Sequence, residues 1–262
     1  PINYNEAIKY YKMAIEKGNS DAMFNYAFML ENGEGVPINY EKSIKYYKMA
    51  ADNGNPNAMN IYAYSLEHGE GVPMSYDEAI HYYKMAIEKG NSDAMFNYAF
   101  MLENGEGVPI NYKEAIKYYK MSADNGNPNA MNHYAYLLKK GEGVPINYNE
   151  AIKYYKMAIE KGDPKAMFNY AFMLENGEGI PVNYEEAIKY YKIAADKGNS
   201  EAMKNYALMI FNGKGVPINY EEAIKYFKMS ADKGNLDGMT SYALMLSFGL
   251  GTPVNSEEAI KY

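Results

Sequence analysis

The chain has 262 residues, no cysteine and a formal net charge of −7 at pH 7. Without thiols there is no disulfide framework and no thiolate chemistry, which fits a reducing, cytoplasmic setting. The acidic balance disfavours a nucleic-acid partner, which would need clustered Lys and Arg. No apolar run is long enough to cross a bilayer, so direct membrane insertion is not expected.

In chain order, a proline recurs every 36 residues, at Pro1, Pro37, Pro73, Pro109, Pro145, Pro181, Pro217 and Pro253 (37 − 1 = 36). The first unit, PINYNEAIKYYKMAIEKGNSDAMFNYAFMLENGEGV, is followed by six copies without insertion or deletion and by a partial eighth. A fixed period of this size marks one supersecondary unit stacked on copies of itself, each burying its apolar face against a neighbour. The spacing predicts an all-α fold, an α-α solenoid of seven 36-residue helix pairs plus a partial eighth. A single solenoid over residues 1–262 is expected, with repeats starting at 1, 37, 73, 109, 145, 181, 217 and 253. Because the chain opens at Pro1 and stops inside a helical pattern, it reads as a segment of a longer array.

Each unit opens with a helix, legible in Asn183 to Gly198. Tyr184, Ala187, Ile188, Tyr191, Ala194 and Ala195 follow the i, i+3, i+4, i+7 spacing of one buried face. Asn183 reads as the N-cap with Glu186 as its capping-box partner, and Gly198 as the left-handed stop. A second helix follows, capped by residues such as Asn19, Asn55 or Asn127, the last two preceding a proline at the first helical position. Its predicted stripe is Ala22, Met23, Tyr26, Ala27 and Leu30. Gly33 ends it, and Glu34-Gly35-Val36-Pro37 leads to the next unit.

The pattern A-x-x-x-Y-A-x-x-L-x-x-G-x-G-V-P-x-x-Y-x-x-A-x-x-Y-Y-x-x-A-x-x-x-G resembles the Sel-1-like repeat, a relative of the tetratricopeptide repeat. The resemblance runs the length of the chain, with Gly33, Gly35, Ala14 and Gly18 matched in most copies. Two departures are Ala27, where the family usually has glycine, and Met13, where it often has a basic residue. The resemblance implies a right-handed superhelix of antiparallel helix pairs, with the AMFNYAFMLENG helix on the concave side. It also implies an adaptor role, holding other proteins together.

Between copies, variation gathers at the registers of Asp21, Phe24, Asn25, Phe28, Glu31 and Asn32, opposite the predicted stripe on a helical wheel. Repeats one, three and five carry Phe24/Phe28, Phe96/Phe100 and Phe168/Phe172, whereas two and four carry Asn60/Tyr64 and Asn132/Tyr136. These ten residues form the candidate partner-binding face, because exposed aromatics in a groove anchor peptides. The competing expectation is that they pack sideways on the neighbouring repeat, and duplication of a two-repeat block would produce the same alternation. Asp21, Glu31 and Glu34 make the same helix and its loop acidic, which suits a basic or amphipathic segment. Lys204, Phe211, Lys214, Phe248 and Leu250 break that scheme in the last two copies.

Chemistry finds little support. The recurring GEGVP lacks the lysine and the preceding strand of a phosphate loop and reads as a turn. His68, His81 and His133 fall in different repeats with no i, i+4 pair, so no metal site and no cofactor is expected. No catalytic residue stands out, and the chain is not expected to be an enzyme. The expected function is a protein-interaction scaffold or adaptor presenting a concave, aromatic and acidic groove to a protein or peptide. The alternative is a regulatory or substrate-docking arm of a larger signalling enzyme such as a protein kinase; a hydrolase ranks last.

Overall fold

The computed structural model describes residues 3–262; Pro1, the first of the recurring prolines, lies outside them. Among the described residues there are 15 helices and no strand. The first unit, Pro1–Ala130, holds α1 (Tyr4–Ile15), α2 (Ser20–Asn32), α3 (Tyr40–Asp52), α4 (Pro56–His68), α5 (Tyr76–Glu88), α6 (Ser92–Asn104) and α7 (Tyr112–Asp124). The division falls within α8 (Pro128–Lys140). The second unit, Met131–Tyr262, continues with α9 (Tyr148–Glu160), α10 (Pro164–Asn176), α11 (Tyr184–Asp196), α12 (Ser200–Asn212), α13 (Tyr220–Asp232), α14 (Leu236–Phe248) and the short α15 (Ser256–Ala259). Within each unit consecutive helix pairs stack as a repeat solenoid.

Local chemistry sets the helix ends. Asn19 Oδ1 accepts from the Ala22 N–H at 2.8 Å, and Asn55 from Ala58 at 2.9 Å, each satisfying a donor that the first turn leaves orphaned. Asn183 accepts from the Glu186 N–H at 3.0 Å, and Glu186 answers by accepting from the Asn183 side-chain amide at 3.2 Å. The expected reciprocal cap therefore closes through the two side chains. At the other end Gly33 takes φ 74°, a left-handed conformation that costs a side chain free energy. The GEGVP segment then folds back, and the Asn39 N–H donates to the Leu30 carbonyl at 2.8 Å. It is a turn, as its recurrence implied.

The core lies between each even-numbered helix and its neighbours. Ala22, Met23, Tyr26, Ala27 and Leu30 are all buried, as the stripe predicted, and Met29 joins them. Fully buried alanines such as Ala27, Ala50 and Ala51 allow close backbone approach, and Tyr47 fills the space between. Tyrosines 20 residues apart meet edge to face in successive repeats: Tyr26–Tyr46 and Tyr62–Tyr82 at 4.9 Å, Tyr206–Tyr226 at 4.6 Å. Such pairs contribute about 0.5–1.5 kcal/mol beyond their buried area.

One predicted core position is corrected. Tyr184 is exposed, whereas Ala187, Ile188, Tyr191, Ala194 and Ala195 are buried. It opens α11 against Gly215, where even a Cβ would crowd the Tyr184 backbone, and the Lys214 ammonium, 5.6 Å from its ring centroid, leaves the ring in part open to solvent.

Candidate partner-binding face

The ten candidate residues divide by register. Phe24, Phe96 and Phe168 are half-buried and lean on the tyrosine of the following helix, with ring centroids 5.6 Å from Tyr47, 5.5 Å from Tyr119 and 5.8 Å from Tyr191. Four residues on, Phe28 is 45% exposed, Tyr64 41% and Phe100 43%, so one ring stands open in each of three successive repeats of the first unit. In the second unit Phe172 is half-buried beneath the Lys139 ammonium, 4.9 Å from its ring centroid, and Tyr136 is half-buried beside Lys140. Asn60 and Asn132 each accept from an asparagine of the next repeat, Asn97 at 3.0 Å and Asn169 at 2.9 Å. The two-repeat alternation thus has a structural counterpart: where phenylalanine is absent, an amide bridge joins neighbouring helices.

The acidic column is more deeply built than solvated surface charge. Buried tyrosines donate to it: Tyr47 to Glu31 at 2.7 Å, Tyr83 to Glu67 at 2.6 Å, Tyr119 to Glu103 at 2.6 Å and Tyr191 to Glu175 at 3.0 Å. Burial pushes these tyrosine hydroxyls up, and the neighbouring carboxylate adds to the shift. Glu67 is itself buried. Its carboxyl is raised above the usual range by desolvation, opposed by the Tyr83 hydrogen bond and reinforced by the Glu106 carboxyl within hydrogen-bonding reach. Asp21 is also engaged, accepting from the Asn55 amide at 2.8 Å.

Repeat four breaks the column. Lys139 occupies the glutamate register, is buried, and pairs with Glu178 at 3.2 Å. Tyr155, the tyrosine of that rung, is fully buried, and among the described residues its hydroxyl has no hydrogen-bond partner. One repeat later the charges are exchanged, with Lys214 on Glu175 at 3.1 Å. The tyrosine–carboxylate rungs and the Lys139 inversion were missed in sequence. Their one visible signal is LLKKG standing where the other copies read MLENG or similar.

Repeat two carries a cleft of about 600 Å³ lined by Glu31, Tyr40, Asn60, Tyr64, Ser65 and Glu70, among others. In the second unit Leu208, Phe211, Leu244, Phe248 and Leu250 line an apolar hollow of about 310 Å³. Among the described residues no cluster of three or more metal-ligating side chains occurs, and no helix is long and apolar enough to cross a membrane.

The Sel1 repeat family model matches residues 1–19, 20–55, 56–91, 92–127, 128–163, 164–199, 200–235 and 236–262. The chain belongs to the Sel1 repeat family. The Sel1 repeat is typically a non-catalytic, protein-interaction fold, and its family register begins at the second helix of the proline-started unit. Among solved structures, the chain is similar to a protective antigen of uropathogenic Escherichia coli described as displaying an SLR fold. That match has TM-score 0.83 and 26% identity, covering 99% of this chain and 56% of that one. A Sel1 repeat protein from Oxalobacter formigenes aligns with TM-score 0.81 and 28% identity, over 91% of this chain and 94% of that one. An immunity protein of Pseudomonas aeruginosa shares the fold at TM-score 0.55 and 20% identity, over 82% and 81% of the two chains. Comparison with curated protein sequences gave no match.

Proposed function

We propose that this Sel1 repeat chain is a non-catalytic scaffold whose even-numbered helices present an aromatic and acidic face to a partner protein. The observation that carries this is the row of open rings, Phe28, Tyr64 and Phe100, in three successive repeats. Exposed apolar rings at one repeating register are unfavourable in water unless something covers them, and aromatic anchors dominate binding energy. Glu31, Glu67 and Glu103 follow them three residues on, so a basic or amphipathic segment fits the face best. Phe172 and Tyr136 belong to the equivalent register in the second unit.

The test separates the two phenylalanine registers. Phe100→Ala should cost about 1 kcal/mol of stability, since nearly half of the ring is already in water, but about 2 kcal/mol of partner affinity. Phe96→Ala removes a ring packed on Tyr119 and should cost about 3 kcal/mol of stability. Affinity capture of interacting proteins with wild type and both variants, alongside urea denaturation, reads both quantities. Undiminished capture by Phe100→Ala, after correction for the unfolded fraction, would remove this face from the binding site.

A further inference from the structure

The cleft of repeat two exists because of two departures from the repeat. At the register where Met29, Met101, Met173, Met209 and Met245 fill the core, and Leu137 does the same, this repeat alone has Ser65. At the register of Phe24 and Phe96 it has Asn60. A serine in place of a methionine removes most of a buried side chain, and the space is left open toward Tyr64 and Tyr40. Ser65 is 3% exposed, and among the described residues nothing hydrogen-bonds to its hydroxyl. Its oxygen is not sealed from solvent, so the hydroxyl is open to a ligand that enters the cleft.

Glu31 and Glu70 line the same cleft. In two later rungs these registers, 39 residues apart, hold one carboxylate and one ammonium: Glu175 with Lys214 at 3.1 Å, and Glu178 with Lys139 at 3.2 Å. Those rungs carry their own counter-cation. In repeat two both positions are carboxylates, as they are at Glu67/Glu106 and Glu103/Glu142, but only here is the neighbouring core position a serine that leaves space beside them. One oxygen of Glu31 already accepts from Tyr47, and Glu31, Glu70 and Ser65 all line the space. Tyr64, stacked on His68 with centroids 4.0 Å apart, adds an exposed aromatic surface at the mouth.

We infer that this cleft receives an arginine side chain from a partner protein. A guanidinium offers five donors in a planar fork, enough to bridge two carboxylates and a hydroxyl, and its flat face stacks on a tyrosine ring. A lysine ammonium is a single point donor group and would leave much of the cleft unfilled. The scaffold function proposed above enters only as the source of the arginine.

The experiment titrates N-acetyl-arginine methylamide into the full chain at pH 7 and low salt, with the isosteric citrulline derivative and the lysine derivative as comparators, followed by NMR. Ser65→Met restores the residue that five other repeats carry, and Glu70→Lys copies the Lys214 rung, so both changes have folded precedents in this chain. Thermal melts verify that both variants fold. Each variant should weaken the arginine probe about tenfold, and so should replacement of the probe by citrulline or lysine. Equal binding of the citrulline or lysine derivative would overturn the assignment, as would unchanged affinity in either variant. Should Phe100→Ala keep its partners while the arginine probe still binds here with the stated selectivity, the scaffold face fails and the cleft stands.

Discussion

Tyr155 and Tyr191 occupy the same register, are both fully buried, and differ in what their hydroxyls meet. Tyr191 donates to Glu175 at 3.0 Å; Tyr155 finds Lys139 where the acceptor should be and has no partner among the described residues. Removing a hydrogen bond to a charged group costs about 1.5–3 kcal/mol, whereas removing an unsatisfied buried hydroxyl relieves a desolvation penalty of about 1–3 kcal/mol. Tyr191→Phe should therefore destabilise the chain by about 2 kcal/mol, and Tyr155→Phe should stabilise it by about 1 kcal/mol. Urea midpoints at constant m measure both, provided fluorescence and far-UV signals coincide, because repeat arrays can unfold in parts. Lys139→Glu supplies the missing acceptor, so Tyr155→Phe in that background should turn costly, and the double-mutant cycle isolates the restored bond. Equal destabilisation by Tyr155→Phe and Tyr191→Phe would refute the reasoning, since it would mean that Tyr155 already has an acceptor such as a buried water.

Two further outcomes rest on single positions. Gly105 and Gly107 both take positive φ, but a Cβ on Gly105 meets the movable Ile110 side chain at 2.9 Å, whereas one on Gly107 overlaps Tyr76 Cβ, which is fixed to the backbone. Gly105→Ala should cost about 1 kcal/mol and Gly107→Ala about 3 kcal/mol, with hydrogen exchange rising locally rather than along the whole chain. Glu67 has its folded pKa raised, so the folded state holds its proton more tightly, and stability falls as pH rises from the ordinary carboxylate value through the raised one. Glu67→Gln should match wild type near pH 4 and exceed it at pH 7 in urea midpoint; an advantage confined to acid would contradict the assignment.

The candidate face was legible only as a list of angles. A wheel places Phe24 and Phe28 together opposite the buried stripe, yet Phe24 is half-buried against Tyr47 while Phe28 stays open. The difference arises because the following helix passes over one register and not the other. Tyr184 shows the same limit from the other side, an apolar spacing in α11 at a ring that stays exposed beside the Lys214 ammonium. Ser65 and Lys139 were visible as single-letter departures between copies. That one hollows a cleft and the other strands a tyrosine hydroxyl depends on side chains 16 or more residues away.

What the chain determined by itself is whatever acts within one repeat. The period, the asparagine caps, the left-handed glycines and the alanine-tyrosine stripes rest on bonds three or four residues long, which spacing alone reveals. Tertiary structure decided which aromatics are open, which carboxylates accept from buried tyrosines, and which of them pair with an ammonium, because those outcomes join residues 16 to 39 positions apart across helix boundaries. Helical periodicity gives a direction for each side chain, and only the packed neighbour determines whether that direction ends in protein or in water.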